Sequence, residues 1–92
     1  MTVQLMAGLY RAGRRGSTKL LIGKVTQPPE KMPRLHERTI QMDLDEVTED
    51  QIVNQVMLIL SDEYLVGGCQ GWRKIHDHGG LIIFDFDYDE AL

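Results

Sequence analysis

Residues 81–89, Leu-Ile-Ile-Phe-Asp-Phe-Asp-Tyr-Asp, alternate in character from one position to the next. Ile82, Phe84, Phe86 and Tyr88 fall on one side, and Leu81, Ile83, Asp85, Asp87 and Asp89 on the other. A strand with one buried face has this pattern, because successive side chains point to opposite sides of a sheet. The aromatic side needs a partner layer, so the rest of the chain must supply more strands and something to cover them.

Upstream, Asp77-His78-Gly79-Gly80 has turn composition, which predicts a hairpin between Trp72–His76 and the strand beginning at Leu81. Farther back, Thr48, Glu49, Asp50 and Gln51 form a capping box with two acids at the positive end of a helix dipole. The helix is expected to run to about Val66, with Gly67-Gly68 as its stop. At 100° per residue, Ile52, Val53, Val56, Ile59, Leu60 and Tyr64 share its buried face. Leu58 lies on the polar side, where it is an ordinary exposed leucine or a subunit contact, and Glu63 lies on the apolar side.

The N-terminal part reads as strands. Val3, Leu5, Ala7 and Leu9 alternate with Thr2, Gln4, Met6 and Gly8; Lys19–Thr26 is the return strand, across a loop containing Gly13 and Gly16. Pro28, Pro29 and Pro33 then force an extended connection, followed by a strand at Arg38–Leu44. The whole is a single α+β domain over residues 1–92: a mostly antiparallel sheet in the order β-β-β-α-β-β, with one amphipathic helix packed across it.

Charge is sorted along the chain. Residues 1–38 hold eight of the ten basic side chains and two of the fourteen acids, about +6, whereas residues 39–92 come to about −10. Sorted charge favours self-association or a charged partner. The single Cys69 excludes an intramolecular disulfide and points to a reducing compartment, with the cytoplasm the default. The longest apolar run, Val56–Leu60, is too short to span a bilayer, and no secretory leader pattern opens the chain.

Several groups of residues are candidates for chemistry or binding. Asp85, Asp87 and Asp89 form an acidic row that could guard an edge strand, pair with Arg11, Arg14 and Arg15 at the first hairpin tip, hold a divalent cation, or imitate nucleic-acid phosphates. A strand holds its carboxylates apart, which disfavours the cation. Arg11, Arg14, Arg15 and Lys19 could track phosphates, but a pI near 5.2 and few flanking aromatics argue against nucleic acid. His76 and His78, with Cys69 or His36, lack the paired short spacing of a structural zinc site, so no metal or cofactor is expected. A pocket of Tyr10, Cys69, Trp72, His76 and His78 could serve a small ligand or a thiol nucleophile. Phosphate-loop, dinucleotide, zincin and serine-hydrolase signatures are missing.

The expectation is therefore a small non-enzymatic interaction protein, self-associating through charge poles or sheet edges, with Arg11, Arg14, Arg15, Leu58, Asp85, Asp87 and Asp89 as contact residues. Two other classes compete with it. One is an acidic inhibitor of a nucleic-acid-binding protein, and the other is a small ligand-binding protein or hydrolase built around Cys69, His76 and His78.

Overall fold

The polypeptide folds as five strands and one helix, β1 (Thr2–Arg11), β2 (Ser17–Val25), β3 (His36–Gln41), α1 (Glu49–Glu63), β4 (Val66–His78) and β5 (Leu81–Glu90), in a computed structural model that describes residues 2–25 and 34–91. The proline-rich connection at 27–33 and the expected end of the return strand at Thr26 lie outside the described residues. The strands form one sheet in the order β3-β2-β1-β5-β4, antiparallel at every step. The β-β-β-α-β-β reading and the single helical layer are thus what the structure shows.

Strand β5 explains its own composition. It lies between β1 and β4, so both its edges are paired; of the four consecutive apolar residues Leu81–Phe84, Ile82 and Phe84 point to the helix, and Leu81 and Ile83 point to the other face, where they are half-buried. Ile82, Phe84, Phe86 and Tyr88 face the helix; Phe84 and Phe86 are fully buried, and Leu5, Ala7, Leu9, Leu20 and Ile22 continue that core across β1 and β2. From α1, Ile52, Val53, Val56 and Leu60 complete it. At ~1.5–3 kcal/mol for each large side chain removed from water, this single layer supplies most of the driving force for folding.

The helix begins as its sequence dictates. Gln51 N–H donates to Thr48 Oγ1 (3.2 Å) and Thr48 N–H donates to Gln51 Oε1 (2.8 Å), closing the capping box. Its end differs from the expectation at Val66. Tyr64 already has extended backbone (φ −118°, ψ 138°), and its N–H caps the Leu60 carbonyl at 2.9 Å. Gly67 and Gly68 are not a helix stop but part of β4. At Gly67 the reason is close approach: a Cβ there would sit 3.0 Å from Asp89 Cβ and 3.2 Å from the Asp89 carbonyl oxygen. Glu63, out of place on the helical wheel, makes an ion pair with Arg38 of β3.

Strand limits also shift. The third strand is His36–Gln41 rather than Arg38–Leu44, because Met42 leaves the ladder; its carbonyl accepts from the buried Thr18 hydroxyl at 2.7 Å. The fourth is longer than Trp72–His76: it runs from Val66 to His78, with register irregularities near Cys69, Gly71 and Lys74–His76. Gly79 and Gly80 alone make the turn to β5, with φ of 65° and 80°, values that suit the right-handed twist of a two-residue hairpin.

Candidate interaction surface

The helix covers one side of the sheet, and the register defines what occupies the other. Across the sheet from β3 to β4 the side chains of the open face fall into rows. One row is Thr39, Lys19, Tyr10, Leu81 and His78; the next is Glu37, Leu21, Gly8, Ile83 and His76. The third carries Gly23, Met6, Asp85 and Arg73, and the fourth Val25, Gln4, Asp87 and Gly71. Leu35, just before β3, lies over Gly23, where a Cβ would stand 2.7 Å from Leu35 Cδ2. The centre of this face is thus an apolar platform of Met6, Leu21, Leu81 and Ile83 around Gly8, with Tyr10 and Leu35 beside it.

Ion pairs of both signs border the platform. On the β3 side Lys19 Nζ lies 3.4 Å from Glu37 Oε1 and donates to Thr39 Oγ1 at 2.8 Å, while the Tyr10 hydroxyl donates to Glu37 at 3.4 Å. On the β4 side Arg73 lies 3.7 Å from Asp85, which also accepts from Gln4 Nε2 at 3.2 Å. The His76 and His78 rings stand 4.4 Å apart at that margin. An apolar centre inside a polar rim is the anatomy of a protein-binding surface.

The acidic row does not act as a unit. The Asp85 carboxylate is only 14% exposed and paired with Arg73, and Asp89 accepts from Gln70 Nε2 at 2.6 Å. Asp87 is exposed. The row does not meet the hairpin arginines: Asp89 is in register with Thr2, at the opposite end of β1 from Arg11. Arg11 pairs instead with Asp45, and a cavity of about 330 Å³ lies between Arg14, Arg15 and Gly16 on one side and Asp43 and Glu46 on the other. The basic hairpin tip is therefore faced by the acidic loop that precedes α1, and Arg38–Glu63 again joins the two oppositely charged halves of the chain.

The residues considered as one pocket divide between two faces. Tyr10, His76 and His78 are on the open face, whereas Cys69 and Trp72 are on the helix side, Trp72 packing edge-on against Phe84 at 5.7 Å. Cys69 is in register with Tyr88 and His76 with Ile83, about 17 Å apart along the strand at ~3.3 Å per residue. His36 belongs to the opposite edge of the sheet. Among the described residues no group of three or more His, Cys, Asp or Glu converges as metal ligands would.

Cys69 instead borders a shallow groove of about 410 Å³ with Met57, Leu58, Ser61 and Tyr88. Burial raises the Tyr88 phenol above its ordinary pKa, with the neighbouring Cys69 adding to the shift and Ser61 opposing it. Leu58, 68% exposed, stands as a ridge between this groove and a second one toward Met42 and Val47, and Leu65 beyond the helix is 94% exposed.

The open-face platform is what sequence reasoning missed as a site. Its signal was present in Leu81 and Ile83, two apolar residues on the same side of the strand as three aspartates. No helix among the described residues is long and apolar enough to cross a membrane. The chain matches no protein-family model, and no curated protein and no solved structure is significantly similar to it.

Proposed function

We propose that this chain is a non-enzymatic interaction protein that works as a homo-oligomer. The carrying observation is the sheet face opposite the helix, where Met6, Leu21, Leu81 and Ile83 lie side by side, half-buried, with no second layer over them among the described residues. A surface of this composition gains free energy by leaving water, at ~25 cal/mol per Å² of apolar area, and an exterior layer is the available way to do so. One cysteine and a mixed charged surface fit a reducing compartment, the cytoplasm.

Less supports the competing readings. A mimic of nucleic-acid phosphates would present free carboxylates, whereas Asp85 is paired with Arg73 and Asp89 is bonded to Gln70. A thiol catalyst would need a base near Cys69, and both histidines of β4 lie on the other face of the sheet.

Light scattering coupled to size exclusion, at low and high salt and over a dilution series, tests the reading. The expected result is a mass of two chains or more that changes little with salt, because the platform centre is apolar. A mass of one chain at every concentration overturns self-association.

A further inference from the structure

The open face carries a geometric argument that goes one step beyond self-association and rests on it. We infer that two copies stack open face to open face about a two-fold axis running parallel to the strands along β1, so that Leu21 of each chain packs on Ile83 of the partner subunit.

Size is the first support. Eighteen outward positions in four rows, each occupying ~4.8 Å by ~6.6 Å, make a face of about 570 Å² per copy, or about 1,100 Å² buried in all, above the ~1,000 Å² that a specific, well-packed interface needs. Stacked sheets pack ~10 Å apart with their strands roughly aligned, a spacing that half-buried leucine and isoleucine side chains fill. Gly8, at the centre of the platform, leaves a depression there between Leu21 and Ile83.

The register then selects the axis. Rotation about an axis along β1 keeps each row opposite itself while exchanging β2 with β5 and β3 with β4. Leu21 then meets Ile83 of the partner subunit twice per dimer, Met6 and Tyr10 meet their own copies, and the aliphatic stem of Lys19 lies over Leu81 of the partner subunit. A two-fold axis across the strands reverses the rows instead. Centred on the Gly8 row, it places Leu81 over Asp85 of the partner subunit in the middle of the platform, whereas the strand-parallel axis confines the comparable contact, Val25 with Asp87 of the partner subunit, to the outermost row.

Charge agrees with the first arrangement. Glu37 on β3 comes to face His76 of the partner subunit on β4, with Arg73 of the partner subunit one row away, and symmetry makes the same contact at the other margin. The rim has a base and an acid on each side, Lys19 with Glu37 and Arg73 with Asp85, so it offers no single sign to attract an unlike partner. It complements a second copy of itself.

Complementary variants test the pairing. Leu21→Lys and Ile83→Glu are each expected to weaken dimerisation about 100-fold, since each sets a charge against a hydrocarbon side chain of the partner subunit twice per dimer. An equimolar mixture of the two variants is expected to recover a dimer, because in the heterodimer the new lysine faces the new glutamate and the other Leu21–Ile83 contact is native. Circular dichroism and a cooperative thermal transition confirm that each variant is folded. Should either fail to fold, Glu37→Arg on the exposed rim serves instead, with an expected loss of about tenfold.

A wild-type monomer overturns the self-association reading and this inference together. A wild-type dimer that persists in both single variants leaves self-association standing and overturns this interface in favour of the β4 edge or Leu58. Two monomeric variants that stay monomeric on mixing overturn the strand-parallel axis. Recovery on mixing supports it.

Discussion

The Tyr88 hydroxyl donates to the main-chain carbonyl of Met57 across 3.3 Å, tying β5 to the middle of α1. Tyr88 is 1% exposed, so the phenol has exchanged water for protein partners, the Met57 carbonyl and the neighbouring Ser61 side chain. Tyr88→Phe is expected to cost about 1 kcal/mol in urea denaturation near neutral pH. The same residue predicts alkaline behaviour. Below pH ~10 the phenol is protonated in both folded and unfolded chains, but above it the unfolded chain loses the proton first. Because burial raises the folded pKa, stability is lost as pH rises through it. In Tyr88→Phe that decline should be shallower, leaving the contribution of Tyr64, whose phenol is also raised by burial.

Thr18 is a buried polar side chain whose hydroxyl donates to Met42 at 2.7 Å, at the point where the chain leaves β3. Thr18→Val keeps the shape and removes the donor, stranding a carbonyl, and should destabilise by about 2 kcal/mol. Thr18→Ser retains the donor and should cost less than Thr18→Val, which equilibrium unfolding of the pair will show.

Thr48→Ala removes the side-chain half of the capping box and should lower stability by about 1 kcal/mol, whereas Thr48→Asp should stay close to wild type. Hydrogen exchange at Gln51, whose N–H donates to the Thr48 hydroxyl, should accelerate in the alanine variant before the rest of the helix responds.

Glycines in β4 and its turn divide by conformation. Gly80→Ala forces a side chain into positive φ and should cost ~1–2 kcal/mol. Gly68→Ala has ordinary φ and open space around the new methyl, so its thermal midpoint should hold or rise slightly.

Local signals were the most legible. The capping box placed the helix start because its two hydrogen bonds link residues three apart. The alternation in 81–89 identified the core face of β5, since a strand displays its own faces whatever its neighbours are. The helix end was misread because Gly67-Gly68 looks like a stop in isolation, and only the approach of Asp89 shows why small residues belong there. The open-face platform joins Leu21, Gly8 and Ile83, whose adjacency depends on strand order, and composition does not encode strand order. Charge sorting was visible too, but Arg11–Asp45 and Arg38–Glu63 show the fold pulling the oppositely charged halves together in places.

The neighbour relation of β1 and β5 has a consequence for biosynthesis. Gln4 is in register with Asp87, so the middle of the sheet joins residues more than eighty positions apart. While the ribosome is still making residues 81–90, β1 has one flank unsatisfied, and the helix lacks Phe84, Phe86 and Tyr88 beneath it. The β1–β2 hairpin and α1 can flicker into shape early, yet neither has a complete surface to lie on. Cooperative closure must then wait for β5 to leave the exit tunnel, and the nascent chain spends that interval with its apolar strands open to chaperones.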